Sequence, residues 1–410
     1  MTVLRIDARR LHPSVLTPPV SKSDALRALT LAAILEATAP DVGRCPPEDV
    51  RLLGEGLQAL RDPNPVIDCR DGAGPFRILL GQAAVRLGTS HFLGSARLGA
   101  RPHAPLVDSL RVTLGGAGLR IQPGSPWPWR VDGAGEVRDP TFRVRAAESS
   151  QFATSLLLAG AARAQLERRR WYVELEGPVA SRGYLELTLR WLGRMGFDVE
   201  LEGGRIALSP AGQPVKVPLL PLDWSSAGYL LLAAWRSGGS VRELDPRSDQ
   251  PDRALLRILR EIGLVVGESA PGTFNVRGDA REGVRASAAE CPDLVPTLVA
   301  LACVLPSRSR FTELAVLRGK ESDRLAGAIE LARAGGARVQ LDGDALEIEP
   351  GPRPAGPLEL SSHGDHRLAM AAATLAVCLE TELLLEGAEC VRKSFPGFFK
   401  ELSRAGVVLC

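Results

Sequence analysis

Six short cassettes stand ahead of six long apolar runs, and they hold most of the residues able to do chemistry. They are Ser21-Lys22-Ser23 with Arg27, Gly72-Ala73-Gly74, Ser149-Ser150-Gln151, Asp223-Trp224-Ser225-Ser226, Pro292-Asp293 and Gly364-Asp365-His366-Arg367. Ser, Asp and Gly are what helix starts use, so a plain N-cap explains any one of them. A cap does not need Lys22, Arg27, Gln151, His366 or Arg367 beside it. Cations are disfavoured in the first turn of a helix, where the leading amides already carry partial positive charge. Lysine and arginine kept at such an end are arranged to receive an anion.

The densest charge cluster elsewhere is Lys320-Glu321-Ser322-Asp323-Arg324, which reads as the opening of an amphipathic helix. It has a bland account too: Glu321 and Asp323 complement the helix dipole, and Arg324 pairs at helical spacing. Yet Lys320 and Glu321 are adjacent, which suits a proton donor and acceptor at one centre. Arg101-Pro102, Ser181-Arg182-Gly183-Tyr184 and Lys393-Ser394-Phe395-Pro396 read singly as a surface loop, a cap and a turn. His363 and His366 have no third histidine near them, which favours a capping turn over a zinc site. No phosphate-loop signature, dinucleotide fingerprint or nucleophile elbow is present.

These cassettes need elements to hold them. The first run, within Pro18–Glu36, is Ala, Leu and Ile almost throughout, so its helix should be buried. Further apolar runs cover Pro75–Leu87, Ser149–Ala164, Ser225–Trp235, Leu294–Leu305 and Leu368–Leu379. Between them lie amphipathic segments: Asp49–Leu60, Pro105–Leu114, Tyr184–Met195, Arg253–Ile262, Arg324–Ala334 and Phe398–Ala405. Glycines after most of these are C-cap signals, and alternating apolar residues beyond them read as strands. The pattern predicts six copies of strand, buried helix, strand, surface helix, strand, as repeated units stacked together. Six units suit an α/β chain of two domains with three units each. The boundary falls in the Pro-rich KVPLLPLDW, giving residues 20–221 as one domain and 1–19 plus 222–410 as the other. The first strand is then expected to pair with the later half, with Pro18-Pro19 as a second crossing.

Length and composition limit the rest. A chain of 410 residues can bury a proper core in each of two or three domains. A formal net charge of +2 is too balanced for a nucleic-acid protein held by its overall field. Only five of the 50 basic residues are lysines (Lys22, Lys216, Lys320, Lys393 and Lys400), and three of them sit in the motifs above. Seven cysteines, far apart and without a C-x-x-C, suit reduced thiols in a cytosol, so a cytoplasmic protein is expected. MTVLRIDARRL reads as an alternating strand rather than a signal peptide. The apolar runs stop well short of bilayer length.

In this order, the cassettes resemble the EPSP synthases (5-enolpyruvylshikimate-3-phosphate synthases) of the enolpyruvyl transferase family. The matches are SKSDALRAL, GARP, SSQFATSLLLAG, SRGYLELTL, KESDRL, DHRLAMA and KSFPGFF, running from Ser21 to Phe399. The resemblance implies two similar domains, each of three βαβαββ units with buried parallel helices, joined by two crossovers. It implies transfer of the enolpyruvyl group of phosphoenolpyruvate to the 5-hydroxyl of shikimate 3-phosphate, releasing phosphate, in an interdomain cleft. No metal or organic cofactor is expected, the partners are those two small molecules, and a monomer is expected.

The resemblance also assigns residues. Lys22 corresponds to the lysine at the junction of both substrates, with Asp293 and Glu321 as the acid/base pair. Ser23, Arg27, Ser149, Ser150, Gln151, Ser181, Tyr184, Asp293 and Lys320 fall to shikimate 3-phosphate along with Lys22. Gly74, Arg101, Gln151, Arg324, Arg367 and Lys393 fall to phosphoenolpyruvate, again with Lys22, while His366 supports them. The chain departs from the family in several places. Gly72-Ala73-Gly74-Pro75-Phe76 replaces the usual Gly-Asn-(Ala/Ser)-Gly-Thr, Gly183 stands where Pro is common, and Val316 stands where some members carry Asn. Pro75 also removes an N–H that could bind phosphate. The nearest rival, the transferase acting on UDP-N-acetylglucosamine, typically has a reactive Cys where this chain has Ala96. A catalytically silent phosphometabolite-binding relative is the other alternative, but pure binding has no use for Lys22, Asp293 and Glu321. An Arg-rich nucleic-acid binder is disfavoured, because the arginines sit among acidic neighbours with few aromatics.

Overall fold

In a computed structural model, which describes residues 3–124, 127–202, 204–212 and 216–410, the chain divides into two compact units. Lys22–Leu220 forms one, the inserted unit; the chain on either side of that stretch forms the other, the split unit.

The inserted unit alternates buried and surface helices. In chain order they are α1 (Lys22–Ile34), α2 (Glu48–Ala59), α3 (Ala73–Ala84), α4 (Ala104–Leu114), α5 (Ser150–Glu167) and α6 (Arg182–Arg194). The odd-numbered helices are apolar on nearly every side and form the core with Phe76, Phe152, Trp171 and Trp191. Buried large side chains such as these contribute roughly 1.5–3 kcal/mol each. Helices α3 and α5 approach closely because Gly81 has no side chain: a Cβ there would lie 2.6 Å from Ser155 Oγ. Ser155 Oγ in turn donates to the Arg77 carbonyl at 2.6 Å. Any larger residue at Gly81 would push the two helices apart.

The split unit repeats the design with α7 (Trp224–Ser237), α8 (Leu255–Glu261), α9 (Val295–Ala302), α10 (Arg324–Ala334), α11 (His366–Leu379) and α12 (Phe398–Arg404). Here α9 and α11 are buried throughout and α7 everywhere except Trp235 and Arg236 near its end, packed with Trp224, Tyr229 and Phe398.

Each sheet has four strands and one pattern: a parallel pair followed by two antiparallel neighbours. In the inserted unit the orders run Val66–Asp68, Thr89–Leu93, Trp129–Asp132, Arg120–Gln122, and Thr141–Val144, Trp171–Leu175, Arg205–Ser209, Asp198–Glu202. The split unit has three such sheets. The first strand, Val3–Asp7, lies antiparallel to Glu382–Glu386 in one of them. Val15–Leu16 lies parallel to Ser240–Val241 in another.

The expectation of six strand sets needs correcting. Among the described residues there are five sheets, and the first buried and surface pair, α1 and α2, has none of its own. The chain from 35 to 47 contains Pro40, Pro46 and Pro47, and the return through 216–222 contains Pro218 and Pro221. Proline has no N–H to donate to a ladder, so only an isolated Val20–Leu222 bridge forms there. One helix also differs from the sequence pattern. Arg253–Ile262 is a 3-10 turn over Pro251–Ala254 followed by α8. The Lys320–Arg324 cluster leads into α10, which begins at Arg324 as expected, capped by Asp323 Oδ1, which accepts from the Ala326 amide at 3.1 Å. Asp323 ends the turn because its carboxylate competes for the leading amides.

Candidate active site

In the inserted unit the polar residues gather where α1, α3 and α5 begin. Lys22, the first residue of α1, places Nζ 3.2 Å from Asp49 Oδ2 in the first turn of α2. The side chains are 14% and 4% exposed, so the pair is largely out of water. The other oxygen, Asp49 Oδ1, is buried without a partner and faces the α3 start, 3.2 Å from where a Cβ on Gly72 would stand. Gly74, in the first turn of α3, abuts α1: a Cβ there would lie 3.3 Å from Leu26 Cδ1.

Arg27 is buried one turn further along α1. Nε donates to Thr188 Oγ1 at 2.9 Å, Nη1 to the Ser23 carbonyl at 2.6 Å, and Nη2 to the Tyr184 carbonyl at 2.8 Å and Thr154 Oγ1 at 3.4 Å. One guanidinium thereby ties α1 to α5 and α6. Burial lowers its pKa to about 10, against the opposing pull of Asp24. Ser149 caps α5 by accepting from the Gln151 amide at 3.3 Å, and Ser150 is buried behind it. Ser181, left-handed at φ 54°, is buried immediately before α6, and its carbonyl accepts from the Tyr184 amide at 3.0 Å.

Arg77 was not among the sequence candidates. It sits in α3 at 1% exposure, donating from Nη1 to Gln151 Oε1 at 2.6 Å and from Nη2 to the Pro102 carbonyl at 2.7 Å. Arg101 therefore lies next to a carbonyl that Arg77 holds. The available signal was one charged residue inside an otherwise apolar helix. His103 is buried beside it, donating from Nε2 to the Leu98 carbonyl at 2.9 Å while Nδ1 has no partner. Burial first, and Arg77 second, lower its pKa from 6.5 to about 4.

The split unit holds a second cluster, centred on Arg324 at 1% exposure. Its Nη1 donates to Asp293 Oδ1 at 2.8 Å, Nη2 to Glu321 Oε2 at 2.7 Å and Nε to Asp365 Oδ2 at 2.9 Å. Burial alone would lower this guanidinium, but Asp365, Glu321 and Asp293 together outweigh it and hold the group above the ordinary arginine value. Arg367 Nη2 reaches Asp293 Oδ2 at 3.1 Å, and Lys393 Nζ lies 3.6 Å from Glu321 Oε1. Asp365 is the α11 cap, accepting from the Arg367 amide at 2.8 Å, and His366 Nδ1 stands 3.9 Å from the same carboxylate. Tyr229 donates to the Arg367 carbonyl at 3.2 Å. Lys320 stands in the turn before α10. His363 instead pairs with Glu330 at 2.8 Å on an exposed face.

Asp293, Glu321, Arg324, Arg367 and Lys393 are thus one constellation, while Lys22, Arg27, Gln151 and the serines frame the other. Asp49 and Asp365 join them although the sequence assigns neither a role in the site, because an acid at a helix start reads locally as a cap. Among the described residues no group of three His, Cys, Asp or Glu side chains is placed to hold a metal. No described helix is long and apolar enough to cross a membrane.

This architecture is that of the enolpyruvyl transferases. An EPSP synthase structure from Acinetobacter baumannii superposes with a TM-score of 0.71 at 22% identity, covering 99% of this chain and 100% of that one. The enolpyruvyl transferase NikO from Streptomyces tendae gives 0.70 at 15% identity, covering 100% and 98%. The family model for EPSP synthase (3-phosphoshikimate 1-carboxyvinyltransferase) matches residues 47–402, and the chain belongs to that family. Among curated relatives, the 3-phosphoshikimate 1-carboxyvinyltransferase of Methanopyrus kandleri is 34% identical over 95% of both chains. That of Aeropyrum pernix is 34% identical over 96% of this chain and 87% of its own.

Proposed function

We propose that this protein transfers the enolpyruvyl group of phosphoenolpyruvate to the 5-hydroxyl of shikimate 3-phosphate and releases phosphate, a step of aromatic amino acid biosynthesis. Within the family, the observation that carries the reading is the Arg324 cluster. One buried guanidinium holds Asp293 and Glu321, whose side chains remain 20% and 12% exposed. A protein that only bound phosphometabolites would have no use for two carboxylates on a site meant for anions.

The roles follow from the chemistry. Asp293 takes the proton of the attacking hydroxyl as its oxygen bonds to C2 of phosphoenolpyruvate, and Glu321 protonates the C3 methylene. A tetrahedral adduct results. Glu321, now a carboxylate, then takes a proton back from C3 as the C2–O bond to phosphate breaks; phosphate leaves with the proton held by Asp293, and the C2=C3 bond of the enol ether forms. We assign Ser149, Ser150, Ser181 and Lys320 to the 3-phosphate, with Ser23, Arg27 and Tyr184 on the rest of shikimate 3-phosphate. Arg101, Arg324, Arg367, Lys393 and Gly74 are assigned to phosphoenolpyruvate, with Lys22 and Gln151 at both substrates. The inserted unit thus serves mainly shikimate 3-phosphate and the split unit the acid/base chemistry. Two phosphates and two carboxylates repel one another, so forked arginines and point-charge lysines are needed to hold them together. Bringing the two solutes into contact supplies on the order of 7–11 kcal/mol of the barrier. We further assign the protein to the cytoplasm, as a monomer, its seven cysteines being unpaired thiols.

A phosphate-release assay offered phosphoenolpyruvate with either shikimate 3-phosphate or UDP-N-acetylglucosamine tests the reading. Release with the first acceptor alone is expected. Release with the second only would reassign the acceptor, and release with neither would leave a binding protein.

A further inference from the structure

We propose that Arg77 is the positioning residue that presents Gln151 and Arg101 to phosphoenolpyruvate, an inference that rests on the functional reading above. Arg77 and Gly81 lie four residues apart on α3, and Gln151 and Ser155 lie four apart on α5. Both pairs therefore fall on matching helix faces. Gly81 and Ser155 set the helix spacing, and one turn earlier Arg77 Nη1 meets Gln151 Oε1 at 2.6 Å. The guanidinium also lies over the Phe152 ring, 4.8 Å from its centroid, which fixes its plane.

A guanidinium carries donors only, whereas a carboxamide has one accepting end and one donating end. Arg77 therefore obliges Gln151 to turn Oε1 inward, leaving the Nε2 amide hydrogens for an anion. Without that constraint the amide can flip and offer its oxygen, which a phosphate or carboxylate repels. The other arm of the fork, Nη2 to the Pro102 carbonyl at 2.7 Å, fixes the backbone adjoining Arg101. Lysine can reach one of these acceptors but not grip both, since it lacks the planar fork.

The experiment is a double-variant cycle on Arg77→Met and Gln151→Met, with KM for each substrate, kcat and thermal midpoint measured. Arg77→Met is expected to raise KM for phosphoenolpyruvate by about tenfold or more, as expected when a bond to a charged group is lost. Adding Gln151→Met to Arg77→Met should change that KM by less than about twofold, because the amide is already misdirected. Arg77→Lys should fall between the wild type and Arg77→Met, and if Arg77→Met does not fold, Arg77→Lys with Gln151→Met completes the cycle. A lowered midpoint with wild-type KM would make Arg77 a packing residue only, and penalties that multiply in the double variant would also overturn the inference. A wild type that releases no phosphate ends the functional reading and this inference with it, whereas an active wild type with an indifferent Arg77→Met ends the inference alone.

Discussion

Arg324 and Asp365 face each other through a fork, Nε to Oδ2 at 2.9 Å and Nη2 to Oδ1 at 3.3 Å, at 1% and 0% side-chain exposure. Asp365 caps α11 and Arg324 opens α10, so this pair joins two helix starts that lie 41 residues apart. Arg324→Met would strand a buried carboxylate, which costs about 3–5 kcal/mol. A urea titration should show that loss, and Asp365→Asn in the same chain should recover part of it.

Glu321→Gln keeps an acceptor for Arg324 Nη2 but cannot deliver a proton. Turnover should fall by about 10²–10⁴, the usual contribution of a positioned acid or base. The thermal midpoint and shikimate 3-phosphate binding should stay near wild type. Normal phosphate release by this variant would remove Glu321 from the acid/base pair.

Asp49→Asn takes the negative charge from Lys22 while keeping the shape of the site. A hydrogen bond between charged groups is worth about 1.5–3 kcal/mol, so kcat/KM should fall roughly tenfold to a hundredfold. An unchanged kcat/KM would mean that Lys22 holds its place without the pair.

His103 makes the inserted unit sensitive to acid. Unfolded, it takes a proton near pH 6.5, but folded it does so only near pH 4. The stabilisation is therefore complete above 6.5 and is lost as pH falls through that window, because the unfolded chain binds the extra proton. From pH 7 to pH 5 the linked loss is about 2 kcal/mol. His103→Phe retains an aromatic ring against Phe76 and Trp129 and should lose about that much less stability over the same interval in urea titrations.

What the sequence alone determined was local. Apolar runs wide enough to be buried, caps ahead of them and glycines behind them were legible because each depends on neighbours within a turn or two. The lysine and arginine cassettes were legible too, since a cation at a helix start conflicts with the dipole there and must have another purpose. Only the tertiary structure decided which of these meet. Arg77 reads as an oddity in an apolar helix until α3 packs on α5 and brings Gln151, 74 residues away, to 2.6 Å. Asp49 reads as an ordinary first-turn acid and Asp365 as an ordinary cap until Lys22 and Arg324 arrive from elsewhere in the chain. That the described residues form five sheets rather than six is a pairing fact of the same kind: the prolines were visible, but a strand exists only when a partner can donate to it.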